Sequence, residues 1–163
     1  MPKGNEIITY KNRIIHDMIH NEDESLSHNL VYALDPDCIG CEDELIYSNI
    51  FPYLKVPDIQ TEAKCYITMA VNMPKVSTKN YFFKNMVITI NVIVHDEKMK
   101  MDPQYNATRA DYIAAIINKI FNGNKGYGIV PLEYVSDTES LLLNSFFMRT
   151  MRFSCDELNS VRC

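Results

Sequence analysis

Tyr81-Phe-Phe-Lys-Asn-Met-Val-Ile-Thr-Ile-Asn-Val-Ile-Val-His-Asp96 decides how this chain folds. The run is β-branched and apolar on both faces at its centre, from Met86 to Val94. A strand of that kind is central in its sheet or covered on both sides. Lys64-Cys-Tyr-Ile-Thr-Met-Ala-Val-Asn-Met-Pro74 precedes it. There Tyr66, Thr68 and Ala70 alternate with Cys65, Ile67, Met69 and Val71, so one face is expected to be the more buried. The connection Pro74-Lys-Val-Ser-Thr-Lys-Asn80 is too long for a tight hairpin and is expected to be an exposed basic excursion.

Downstream the period changes. Tyr112, Ile113, Ile116, Ile117 and Ile120 lie at helical spacing. Thr108 with Asp111 three residues on is an N-terminal capping pair, and Asn122-Gly123 is a stop. The spacing predicts a helix over 108–121. Two further strands are expected near 129–136 and 146–155. Upstream, 5–21 has a helical stripe of Ile7, Ile8, Ile14, Ile15, Met18 and Ile19. Short helices are expected at 25–34 and 42–50, and 51–57 should be an extended linker because residues before Pro avoid the α region. The expected class is α+β: an antiparallel β-sheet of about four strands with helices packed on it, in the order α-β-β-α-β-β.

At 163 residues the chain reads as a single domain, residues 1–163, with a core of its own. Its net charge of −5 is unevenly spread: residues 1–60 carry 4 basic and 11 acidic side chains, and residues 61–163 carry 12 and 10. Such a chain is poorly suited to gripping nucleic acid, which needs clustered Lys and Arg. Five cysteines without a signal peptide point to a reducing, cytosolic setting. No apolar run reaches the roughly 18 residues of a membrane span. A soluble protein is expected, with no membrane partner.

Candidate chemistry is thin. Cys38-Ile-Gly-Cys41 has the spacing of half a zinc knuckle or a redox pair, but no second pair follows it, so it reads as two loop cysteines. His16 and His20 share a helical face without the glutamate that a zinc protease places after the first histidine. His95-Asp96-Glu97 would suit a catalytic histidine, yet no nucleophile stands in the required context. Asn122-Gly-Asn-Lys-Gly-Tyr-Gly128 follows a helix rather than a strand, which is the wrong order for a phosphate loop. The expectation is no catalytic site, no cofactor and no metal.

Four stretches together carry a resemblance. They are Ile50-Phe-Pro-Tyr-Leu-Lys-Val-Pro57, Ile90-Asn-Val-Ile-Val-His-Asp96, Arg109-Ala-Asp-Tyr-Ile-Ala-Ala-Ile-Ile-Asn-Lys-Ile-Phe-Asn-Gly123 and Phe147-Met-Arg-Thr-Met-Arg-Phe-Ser-Cys-Asp-Glu-Leu-Asn159. Over about residues 45–160 the chain resembles the tail terminator (tail-completion) proteins of long-tailed bacteriophages. The acidic segment 21–44 stands outside that likeness as a local elaboration. The resemblance implies a structural virion protein, not an enzyme. It would be assembled in the host cytoplasm and located at the tail or neck.

Such a protein forms a homo-oligomer, typically a hexameric ring, at the head-proximal end of the tail tube. The ring ends tube growth and docks the head-side connector. Its partners would be the tail tube protein and the connector or stopper protein. DNA would pass through without specific binding. Lys75, Lys79 and Lys84 are the candidate subunit-interface residues, facing acidic surface on a neighbour. The alternatives are another neck or head-completion connector, or, in a different class, a small metal-dependent hydrolase or nuclease subunit centred on His95.

Overall fold

The computed structural model describes residues 5–58, 63–73, 83–143 and 145–158. Within them the class is α+β, as the sequence predicts. A five-stranded sheet in the order β1-β2-β3-β5-β4 carries three α-helices. The strands are β1 (Ile50–Phe51), β2 (Cys65–Asn72), β3 (Phe83–His95), β4 (Glu133–Leu142) and β5 (Phe146–Leu158). The helices are α1 (Asn5–Ile19), α2 (Glu24–Leu34) and α3 (Arg109–Phe121). β2, β3, β5 and β4 are antiparallel neighbours, and only β1 joins in parallel, beside β2.

β3 occupies the centre, where its apolar run requires it to be. Register puts Met86, Ile88, Ile90, Val92 and Val94 on one face with Val71, Met69, Ile67 and Cys65 of β2. Met151, Phe153 and Cys155 of β5 share that face. All are buried there against Ile14 and Met18 of α1, Leu30 and Val31 of α2, and Ile113, Ile117 and Phe121 of α3. The helices therefore make one layer on one face of the sheet.

α3 forms where its stripe and caps place it. Thr108 Oγ1 accepts from Asp111 N at 3.2 Å, and Gly123 takes φ +80° just past Asn122. Arg109 ties its first turn down, donating to Ala33 O at 2.9 Å and Lys98 O at 2.7 Å. α2 begins at an Asp23 cap and contributes Ser27, Leu30, Val31, Ala33 and Leu34 to buried surface. The acidic stretch 21–44 thus carries core residues beneath its charged exterior. In α1 the predicted stripe is buried only from Ile14 onward, and Ile7 and Ile8 are exposed.

Three expectations are corrected. The helix expected at 42–50 is a single 3-10 turn, Glu42–Leu45, because the chain reverses at Tyr47 (φ +66°) and enters β1. The start of the expected linker is itself a strand, so the sheet has five strands and one parallel pair. β4 lies at Glu133–Leu142 rather than 129–136. Pro131 cannot donate to a ladder, and pairing with β5 continues through the polar run Ser136-Asp-Thr-Glu-Ser140. The expected excursion at 74–80 lies outside the described residues.

Candidate functional site

The opposite face of the sheet has no helix on it among the described residues. Near the His95 end, Phe51, Tyr66, Ile93 and Phe146 form a separate buried cluster, flanked by Leu142 and Met148. The rings meet in sequence at tilted angles, Phe51 to Tyr66 and Tyr66 to Phe146 each 6.2 Å between centroids. The chain after β1 covers one side: Tyr53 meets Phe51 edge-on at 5.7 Å, and the Lys55 ammonium lies 4.0 Å from the centre of the Phe51 ring. The middle of this face is polar. Thr150 Oγ1 donates to Asn91 Oδ1 at 2.8 Å, and Asn91 Nδ2 donates to Thr68 Oγ1 at 3.2 Å, a rung spanning three strands. Beyond it lie Thr89, exposed Arg152 and Ser136, paired across strands. The result is a broad, mostly polar plane with an aromatic patch at one end.

β4 is one edge of that plane, and its outer backbone groups have no strand beside them among the described residues. The register slips between Tyr134 and Ser136, so Val135 bulges out 56% exposed. Leu141, near the β4–β5 turn, is 81% exposed, and Leu143 follows it at φ +61°. At the other edge β1 is only two residues long, and Leu54 and Val56 beyond it are more than half exposed. Long edges with exposed apolar side chains are templates for another chain.

Behind β4 an ion network fixes the edge to the helix layer. Arg149 Nε donates to both Asp137 oxygens at 2.8 and 2.9 Å, Nη2 donates to Asp137 Oδ2 at 2.6 Å, and Nη1 donates to Asp111 Oδ1 at 2.6 Å. Tyr134 OH donates to Asp137 Oδ2 at 2.8 Å. Burial alone would raise the Asp137 carboxyl, but hydrogen bonds from Arg149 and Tyr134 hold it below the usual carboxylate range. Those with Asp137 push the Arg149 guanidinium up, against its burial. Burial and then Asp137 push the Tyr134 phenol up as well. The sequence reading missed this network. Its one visible signal is Arg149 on the apolar alternation Phe147, Met151, Phe153, a cation in register with the core.

The other residues singled out by sequence are dispersed. Lys84 points to the helix face and pairs with Glu6 of its own chain. Lys75 and Lys79 lie outside the described residues. His95 Nδ1 accepts from Glu97 N at 3.2 Å and its ring meets Phe146 edge-on, so it caps a turn. His20 contacts Asp43 at 2.9 Å, bridging α1 to the Glu42–Leu45 turn.

The glycine-rich loop is a packing device. Tyr127 is buried and donates to Asp17 at 2.6 Å. Gly128 passes so close to β5 that a β-carbon would fall 2.6 Å from Asp156 O. Beside this loop and α1 lies an open polar cleft of about 530 Å³, walled by Arg13, His16, Asp17, Lys119 and Asn124. Among the described residues no group of three or more His, Cys, Asp or Glu is placed to hold a metal ion, and no helix is long and apolar enough to cross a membrane.

The model of one protein family, described as YomW, matches residues 10–155, nearly the whole sheet and helix layer. No curated protein matches the chain.

Proposed function

The chain belongs to the YomW family, whose name is that of a phage-derived, SPβ-prophage-type protein, and from that footing we propose that it is a structural protein of a tailed phage. It acts as a tail terminator: copies join edge to edge into a ring at the head-proximal end of the tail tube, and the ring stops tube growth and receives the head-side connector. The observation that carries this reading is the one-sided architecture. All three helices pack on one face, and among the described residues the other face carries no helix and the ten-residue β4 has no strand at its outer edge. A head-to-tail contact through such an edge closes into a ring when its rotation closes. The net charge of −5, repeated around the ring, keeps the channel from holding the genome as it passes.

The test alters the edge and leaves the core alone. Val135→Lys with Leu141→Lys places charge at two exposed positions of β4. The double variant should fold and melt as the parent does. In cells infected by a phage lacking its own copy of the protein, it should yield tails of unregulated length that fail to join heads. Normal tails with this variant would overturn the edge contact. For the unaltered protein, light scattering in the presence of tail tubes should give a bound species at a ring multiple of 18.9 kDa. Fluorescence titration with duplex DNA at physiological salt should show no binding.

A further inference from the structure

Cys38 and Cys41 bracket a tight turn between α2 and β1. Cys41 N donates to Cys38 O at 3.0 Å. Ile39 sits at φ −65°, ψ 121° and Gly40 at φ +90°, which makes a type II turn with the glycine where that turn requires one. A turn of this kind holds its outer Cα atoms within about 7 Å, reaching into the range that a disulfide bridges without moving backbone. Both side chains are partly exposed, and Cys41 Sγ lies 3.8 Å from Asp37 O at the start of the turn. Cys65 and Cys155, by contrast, are buried in the helix-covered face. The turn is braced on each side: Asp35 accepts from Asp37 N at 3.1 Å, and Glu42 accepts from Gly40 N at 2.9 Å.

We propose that Cys38 and Cys41 are a dithiol–disulfide site whose oxidant is a low-molecular-weight disulfide such as that of glutathione. The proposal goes beyond the ring reading and does not depend on it. Burial, and after it the Asp35 charge, push the Cys38 thiol up to about 11, which disfavours its thiolate, and the first attack is assigned to Cys41. The Cys41 thiolate attacks one glutathione sulfur, the S–S bond breaks, and one glutathione thiolate leaves. The Cys38 thiolate then attacks Cys41 Sγ in the mixed disulfide, closing the 38–41 bond and releasing the second glutathione. Two cysteines are oxidised, one glutathione disulfide is reduced, and the two protons lost by the protein end on the two glutathione thiols. The closed bond fixes the connector that carries Asp43, the partner of His20 just after α1.

The experiment incubates the full chain in glutathione buffers of rising oxidised fraction. It then alkylates free thiols, weighs the protein and maps its peptides. The expected result is loss of two hydrogens, mapped to 38–41, with Cys65 and Cys155 still alkylated. The native chain should close at about tenfold less oxidant than the same chain in urea. Cys38→Ser should trap glutathione on Cys41. Asp35→Asn, which keeps an oxygen for the turn, should speed closure severalfold. Absence of a 38–41 bond in the native chain would overturn the proposal. So would closure no easier than in urea, or glutathione trapped first on Cys38.

Discussion

The two faces of the sheet are made by the same strands and obey different rules. On the helix-covered face every β3 residue from Met86 to Val94 is aliphatic or Met and fully enclosed. On the other face the same strand presents Asn85, Val87, Thr89 and Asn91, all half-buried, before Ile93 enters the aromatic cluster. The first face is finished by its own chain. The second is satisfied in its middle by side-chain hydrogen bonds and, among the described residues, is covered at one end. Burial that depends on the chain itself is met by shape. A face without a helix on it is met by polar groups that tolerate water, which is what the proposed assembly surface requires.

The largest test of that difference pairs two phenylalanines of β5. Phe153 is at the centre of the helix-covered face, and Phe146 anchors the aromatic patch opposite. Phe153→Ala should cost about 3–5 kcal/mol, because α3 and β3 cannot collapse into the space. Phe146→Ala should cost roughly half as much, since Leu142, Met148 and the segment after β1 border solvent and can close in. Urea unfolding of both variants decides it. Equal losses would mean that the patch is a second core rather than the rim of a surface.

Asp137 comes next in size and tests what holds the edge strand to the helix layer. Asp137→Asn removes the charge that faces Arg149 and should cost about 1–3 kcal/mol. Its acid behaviour sharpens the test. The folded carboxyl titrates below its ordinary value, so the network's stabilisation is complete above about pH 4, the unfolded value. It is lost as pH falls through the depressed folded value. Thermal unfolding between pH 5 and pH 3 should therefore steepen in the parent and flatten in Asp137→Asn. Parallel slopes would remove Asp137 from the account of acid sensitivity.

The sequence shows the enclosed face far better than the open one. Hydrophobic periodicity locates β2, β3, β5 and α3 to within a few residues, because each has a stripe that only burial explains. β4 is displaced in the reading because its polar run Ser136-Asp-Thr-Glu-Ser140 has no alternation. It is a strand because β5 offers a ladder and Arg149 offers Asp137 a partner, and both are tertiary facts. β1 is invisible for the same reason, two residues whose strand character comes from β2. Lys84 looks from composition like surface charge, yet register puts it on the helix face, 11% exposed and paired with Glu6. The Arg149 network joins α3 to facing residues of the β4–β5 hairpin, so it depends on strand register and tertiary packing and no local pattern announces it.

A smaller effect is expected in the polar rung of the open face. Thr150→Val keeps the shape and deletes the donor to Asn91 Oδ1. Asn91 is half-buried and can turn toward water, so the loss should be about 0.5–1.5 kcal/mol, with β-sheet content unchanged by circular dichroism. A loss as large as that of Phe153→Ala would show that the rung is part of the core.

Arg152 is the exposed cation at the middle of the open face, between Thr89 and Ser136. For the monomer Arg152→Glu should be nearly silent, within about 0.5 kcal/mol, since no ion pair of Arg152 is present among the described residues and the side chain is exposed. For assembly it should not be silent. If the proposed ring covers this face, the charge goes from water into a contact, and reversing its sign there weakens the contact. Equal melting temperatures together with a severalfold loss of tail-bound protein in a pull-down with tail tubes would separate the two faces cleanly. Full binding by Arg152→Glu would remove the plane from the proposed contact.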